Sequence, residues 1–179
     1  MMSITPVTLL FTAALALYEP VKKERDLLKW GVLTYFITLS LEAIGTNTGI
    51  IFGNYSYGST LGIKIMNVPL VIGLIWVVLI LGAVSLSYSI TNNFLARIFT
   101  ASAITVFLDF FLEQLSGRLK YWSWTGNTVP ILNYATWFVI TFIAAVSLQL
   151  FVKNFHHKIL AHFFMGQSIF IIISDLIIK

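Results

Sequence analysis

Apolar residues run along this chain in six long stretches, separated by shorter polar ones. A helix that crosses a bilayer needs about 20 mostly apolar residues, within a range of about 17–25. The stretches Ser3–Tyr18, Leu27–Gly45, Met66–Ile90, Leu95–Ser116, Pro130–Val152 and Ile159–Ile178 fit or approach that length. The pattern predicts an all-α protein, a polytopic integral membrane helical bundle of about six transmembrane helices. Residues 1–179 are read as a single transmembrane domain, since no repeat, low-complexity tract or linker interrupts them. Pro69 and Pro130 stand near helix starts, where a missing N–H costs little. Ala14-Leu15-Ala16 looks like a signal-peptide cleavage site, but no basic segment precedes it, so the first stretch is read as a span.

Composition agrees. The 179 residues are 58% hydrophobic and 10% charged, with a mean hydropathy of +0.90. Soluble domains are about 45–50% apolar and about 25% charged, and a small one buries only about two-thirds of its surface. Lipid is therefore the expected solvent. There is no Cys, hence no thiolate nucleophile, zinc–thiolate site or iron–sulfur cluster. A net charge of +4, clustered beside the spans, reports topology rather than nucleic-acid binding. Lys22, Lys23, Arg25, Lys29, Arg97, Lys153 and Lys158 fall on one face, and Lys64, Arg118, Lys120 and Lys179 on the other. The positive-inside rule puts the first set in the cytoplasm and both termini outside.

The two long connections, Thr46–Ile65 and Gly117–Val129, share the face opposite the basic first loop. Both are rich in aromatic side chains: Tyr55 and Tyr57 in one, Tyr121, Trp122 and Trp124 in the other. Aromatic residues at this level commonly form an interfacial belt. Three of the seven acidic residues are more telling. Glu42 lies in the last turns of the second span, and Asp109 and Glu113 in the last turns of the fourth. These spans run in the same direction, so all three acids reach one membrane face. A charge at a helix centre costs roughly 2.5–3.5 kcal/mol and is a functional candidate by default. Asp109 and Glu113 are four apart and share a helix face. Two carboxylates that close and partly out of water resist ionising together, which gives an acid and a base in one pocket. The plainer alternative pairs them with Arg118 and Lys120 or with neighbouring helices. Asn133 and Trp137, also four apart, enter from the same face. A pocket with apolar walls and carboxylates at its mouth suits a long hydrocarbon whose end group reacts.

Several chemistries lack their residues. His156, His157 and His162 cluster on the face opposite the acids, and no repeated His-x-x-x-His box occurs, which disfavours a di-iron hydroxylase or desaturase; adjacent His on a loop read as interfacial rather than metal-binding. No mid-span Lys exists for a retinal Schiff base, and no Asp-rich or Gly-rich diphosphate motif is present. Neither metal nor cofactor is expected. Gly31, Gly73 and Gly82 read as packing sites.

The run from Glu42 through Gly45, Gly49 and Phe52-Gly53-Asn54-Tyr55-Ser56-Tyr57-Gly58, continued by Gly62, Val68-Pro69-Leu70 and Trp76, resembles the first signature of a membrane family from carotenoid biosynthesis. That family includes the carotenoid 1,2-hydratases and the bisanhydrobacterioruberin hydratase. Its second signature is matched by Asp109, Glu113, Tyr121-Trp122-Ser123-Trp124, Pro130, Asn133-Tyr134 and Trp137. The chain departs from the pattern at Gln114, where a Pro often follows the second acid, and at Thr136, where a Gly often precedes the last Trp. The resemblance covers about Glu42 to Trp137. It implies an integral protein of a prokaryotic cell membrane. It further implies a lipophilic carotenoid substrate, association with other carotenoid-pathway enzymes, and hydration of the terminal C=C of a linear carotenoid end group.

The residues allow that chemistry on their own terms. Hydrating a trisubstituted alkene needs a proton donor, a stabilised tertiary cation and a placed water. Asp109 is the expected acid, with Glu113 and Glu42 as base or orienting partners. The rings of Tyr55, Tyr57, Trp122 and Trp124 can stabilise the cation. Asn133 and Asn54 can hold the water, and Trp137 completes the substrate site. Other readings stay open: end-group cyclisation, which begins with the same protonation; the substrate-binding subunit of a vitamin transporter, also a six-span protein of this size; and an assembly protein whose acids merely pair with bases.

Overall fold

A computed structural model of the chain describes residues 4–152 and 155–178. Ser3, Lys153 and Lys179, which bound the first span and enter the charge count, lie outside the described residues. Six helices follow in order: α1 (Thr5–Lys23), α2 (Arg25–Thr48), α3 (Val71–Ser87), α4 (Phe94–Ser116), α5 (Ile131–Phe151) and α6 (Lys158–Ile177). Four of them, α2, α4, α5 and α6, are long and apolar enough to cross a membrane.

The third span is shorter than its hydropathy predicts. Met66 and Asn67 have φ of 49° and 68°, and they turn Lys64–Ile65 (β2) back on Val68–Pro69 (β3) as an antiparallel hairpin. The apolar run before α3 therefore becomes a tight turn. At about 1.5 Å per residue the 17 residues of α3 span only about 26 Å. This helix can be short because lipid does not wet it: α3 touches every other helix and is buried on nearly all sides, from Val71 to Ser87. A helix apolar all round belongs at the centre of a bundle.

The first helix, α1, is longer than the predicted first stretch. It continues past Tyr18 through Pro20 to Lys23. The chain breaks only at Glu24, whose extended backbone (φ −131°, ψ 97°) separates α1 from α2. Glu24 meets His157 at 3.2 Å, tying this corner to the start of α6.

The outer helices have an inverted pattern. Large apolar side chains such as Phe36, Phe107, Ile143 and Phe170 face outward, while stripes that include the small and polar residues turn into the bundle. On α2 the buried stripe runs Leu27, Trp30, Thr34, Thr38, Glu42, Gly45. On α5 it runs Asn133, Trp137, Thr141, Ala145, Leu148, and on α4 Ile98, Ser102, Thr105, Asp109, Glu113. Steps of three and four keep each set on one helix face. Lipid tails are as apolar as leucine, so close packing and polar contacts, rather than hydrophobic transfer, hold such a bundle together. Buried Thr38, Ser102 and Thr105 return their hydroxyls to carbonyls one turn back. Trp30 donates its indole N–H to Ser147 on α5 at 2.9 Å. Gly73 and Gly82 let α2 and α6 approach α3, since a Cβ at either would fall within 2.8 Å of Tyr35 or 2.7 Å of Phe164. At Gly31 the nearest atom would be 3.7 Å away, an ordinary contact.

Candidate active site

The stripes on α2, α4 and α5 place Glu42, Asp109, Glu113 and Asn133 at one end of the bundle, and two short strands close over them. Tyr55–Tyr57 (β1) pairs antiparallel with Trp122–Trp124 (β4), in the register Tyr55 to Trp124 and Tyr57 to Trp122. Side chains alternate along a strand. In Tyr-Ser-Tyr against Trp-Ser-Trp, the four rings share one face, while Ser56 and Ser123 meet at 3.4 Å on the exposed one. The ring face points inward. The aromatic belt expected here is a roof instead.

Each strand serves one acid. Tyr55 and Tyr57 donate their hydroxyls to Oε2 of Glu42 at 2.5 and 2.7 Å, and Trp76 of α3 donates its indole N–H to Oε1 at 2.8 Å. Trp122 and Trp124 donate their indole N–H groups to Oε2 of Glu113 at 2.9 and 2.6 Å. Asn133 gives one amide N–H group to Oε1 of Glu113 at 3.1 Å and to Oδ2 of Asp109 at 3.0 Å. Standing between two carboxyl groups, its amide must turn the NH2 side toward both. The three acids are 3%, 2% and 7% exposed in chain order, and Glu42 lies within electrostatic reach of the other two.

These acids have no ion-pair partner among the described residues. Arg118 turns away to Asp175 at the end of α6, at 2.8 Å. The acids are held by hydrogen bonds alone, and the donor types differ. Glu113 receives only N–H groups, which cannot accept, so its two oxygens match the ionised form. Glu42 receives two hydroxyls that can turn and accept, so it can be held in either form. Asp109 uses Oδ2 as an acceptor, while its buried Oδ1 has no partner. Burial, and then Glu42 whenever it is ionised, push the phenols of Tyr55 and Tyr57 above the ordinary tyrosine range. Both hydroxyls therefore keep their protons.

The rings and acids border a cavity of about 500 Å3. Glu42, Glu113, Asn133, Tyr55, Tyr57, Trp122, Trp124 and Trp137 lie on its wall. Asp109 is not on it and sits behind Asn133. Asn54 is not on it either: it is exposed, and its carbonyl accepts the N–H of Thr125 at 2.9 Å, linking the two loops. Trp76, which closes the first resembling signature but was not among the expected site residues, is a wall residue too. It stacks face to face on Trp137, ring centroids 3.3 Å apart. A Trp inside an apolar span carries no outward sign of function; its spacing from the Val68-Pro69 turn was the available clue. The two departures from the resembling signature are accommodated. Gln114 is exposed on an unbroken α4, and Thr136 donates to the carbonyl of Ile51 at 2.7 Å, binding α5 to the first loop.

The model of a family described as carotenoid biosynthesis protein matches residues 4–177. The chain belongs to the carotenoid biosynthesis protein family. No curated protein and no solved structure matches it. Membership points to an enzyme of the carotenoid pathway, and with four helices of membrane-crossing length it makes the chain a membrane protein. A family that builds carotenoids fits an apolar-walled cavity roofed by rings. It gives no support to a water-soluble vitamin as ligand.

Proposed function

We propose that this family member hydrates the terminal C=C of a linear carotenoid, in a prokaryotic cell membrane and beside other enzymes of the pathway. The observation that carries the proposal is the pair of carboxyl groups facing one aromatic-roofed cavity, Glu42 in a cradle that tolerates either protonation state and Glu113 in one that favours the ionised state. In this reading protonated Glu42 gives its proton to the less substituted alkene carbon. A tertiary cation forms on the other carbon, against the ring faces of Tyr57, Trp122, Trp124 and Trp137. Such contacts are worth more in a desolvated site. A water oxygen bonds to the cation and releases a proton to Glu113. The product is a tertiary alcohol, and the proton returns to Glu42 before the next turnover. Asp109, expected from the sequence as the donor, is here a positioning residue: through Asn133 it fixes the angle of Glu113.

The test is pigment analysis in a host that makes a linear carotene with free end groups, with empty vector, Glu42→Gln, Glu113→Gln and Asp109→Asn alongside. Hydration adds the mass of one water per reacted end. The expected result is that gain in the unaltered protein, its loss in both Glu variants, and a residual gain in Asp109→Asn. Loss in Asp109→Asn as complete as in Glu42→Gln would return the donor role to Asp109. A product of unchanged mass and shifted retention would replace hydration with cyclisation.

A further inference from the structure

The cavity is open on its side as well as roofed at its end. Its wall includes Thr8 and Thr12 of α1 and Phe163, Gly166 and Phe170 of α6. Spacings of three and four put each set on a single helix face. Thr8, Gly166 and Phe170 are exposed on the outside of the bundle too, and Phe170 keeps 70% of its surface free. The wall is therefore breached between these two helices, which share little contact, each packing mainly on α3 or α4.

Three details fit an opening to lipid. A Cβ at Gly166 would meet nothing within 4 Å, unlike Gly73 and Gly82, whose lack of a side chain serves helix packing. Thr8 and Thr12 spend their hydroxyls on carbonyls of their own helix, Ile4 at 3.1 Å and Thr8 at 2.9 Å, so methyl groups remain for the gap. Around it, Val7, Phe11, Ile169 and Ile173 are exposed apolar side chains, as lipid contact requires. Size decides the use. A cavity of about 500 Å3 suits a drug-sized ligand, within the usual span of about 300–1,000 Å3. A linear carotenoid is about as long as the hydrocarbon core is thick, on the order of 30 Å. It cannot be enclosed.

We propose that the gap between α1 and α6 at Gly166 is a lateral entrance: the end group passes in from the bilayer, and the polyene stays in the gap with its far end among lipid tails. The proposal rests on the carotenoid reading of the site and names how that substrate is held. It makes Gly166 and Phe170 determinants of substrate length rather than catalytic residues.

The chain has no Cys, so Gly166→Cys supplies a single thiol that can be blocked reversibly on folded protein in membranes. The thiol is capped with methyl or with benzyl methanethiosulfonate, and capping is verified by mass. Two quantities are read: linear carotene retained per protein by absorbance, and uptake of a short acyclic isoprenoid with the same end group. The benzyl cap is expected to lower carotene retention about tenfold or more, a change of about 1.4 kcal/mol or more. The methyl cap and the short compound are expected to be little affected, and dithiothreitol to restore retention. Full benzyl capping with unchanged carotene retention overturns the entrance. If Gly166→Cys does not fold, Phe170→Cys carries the same test one turn away. Retention that the cap blocks, without any gain of water, keeps the entrance and removes hydration. An uncapped protein that retains no carotene overturns both.

Discussion

Glu42 and Glu113 occupy facing positions under one roof, yet their cradles are made of different chemistry. Each has two ring donors from one strand, at alternate positions, and a third donor from a helix: Trp76 for Glu42 and Asn133 for Glu113. The tyrosines of β1 can donate or accept. The tryptophans of β4 and the amide of Asn133 can only donate toward their acid. A cradle of hydroxyls can follow a proton on and off its carboxyl group. A cradle of N–H groups binds the anion well and the acid poorly. Under the proposed hydration, two acids of similar burial are thus suited to different roles by partners rather than by depth, and an acid and a base can share one small cavity.

The largest effect that would break this comparison is on turnover. Placed acid–base groups typically contribute about 10²–10⁴-fold. Glu42→Gln and Glu113→Gln are each expected to lose about that much hydration, measured as hydrated pigment per protein. A variant of either that kept a tenth of the activity would remove that acid from the reaction.

Stability should separate the two variants that activity does not. At position 42 a Gln can turn its NH2 toward the phenols, which then accept. At position 113 a Gln must aim N–H at one set of N–H donors, leaving at least one buried group unsatisfied at about 1–3 kcal/mol. Thermal melting in detergent is therefore expected to fall clearly for Glu113→Gln and little for Glu42→Gln. Equal losses would mean that the donor types do not matter. The same logic reaches the rings. Trp124→Phe keeps an aromatic roof but removes a donor from Glu113, and should cost about 1–3 kcal/mol of stability. Tyr57→Phe leaves Glu42 with Tyr55 and Trp76 and should cost less, while slowing turnover more than it destabilises.

Much of this was legible in the sequence, for reasons that differ by region. The spans α2, α4, α5 and α6 follow from apolar runs longer than any soluble core needs. Glu42, Asp109, Glu113 and Asn133 stood out because polar groups in such runs are costly. The turn at Met66–Asn67 was hidden by the apolar residues around Asn67 (Ile65, Met66 and Val68), which extend the run into α3. The roof was hidden because three residues of Tyr-Ser-Tyr or Trp-Ser-Trp are too few to show a period of two, and because strand pairing joins segments 67 positions apart in register at Ser56 and Ser123. That Asp109 stands behind Asn133, and that Trp76 stands on the wall, depends on the relative rotation of packed helices, which spacing along one helix does not encode.

The smallest expected effect concerns the phenols alone. Burial first, then Glu42 whenever it is ionised, hold Tyr55 and Tyr57 above the ordinary tyrosine range in the folded protein. In the unfolded chain they ionise near the usual value of about 10. Between those two points the folded state binds more protons than the unfolded one, so stability declines as pH rises. The contribution is fully present below about pH 10 and is lost progressively above it. Melting temperature should therefore fall more steeply above that pH in the unaltered protein than in Tyr55→Phe/Tyr57→Phe, which has no such protons to lose. Trp122→Phe/Trp124→Phe should leave the alkaline slope unchanged, because an indole does not titrate there. An alkaline slope that moved with the tryptophans instead would mean that roof packing governs it and that the two cradles are not chemically distinct.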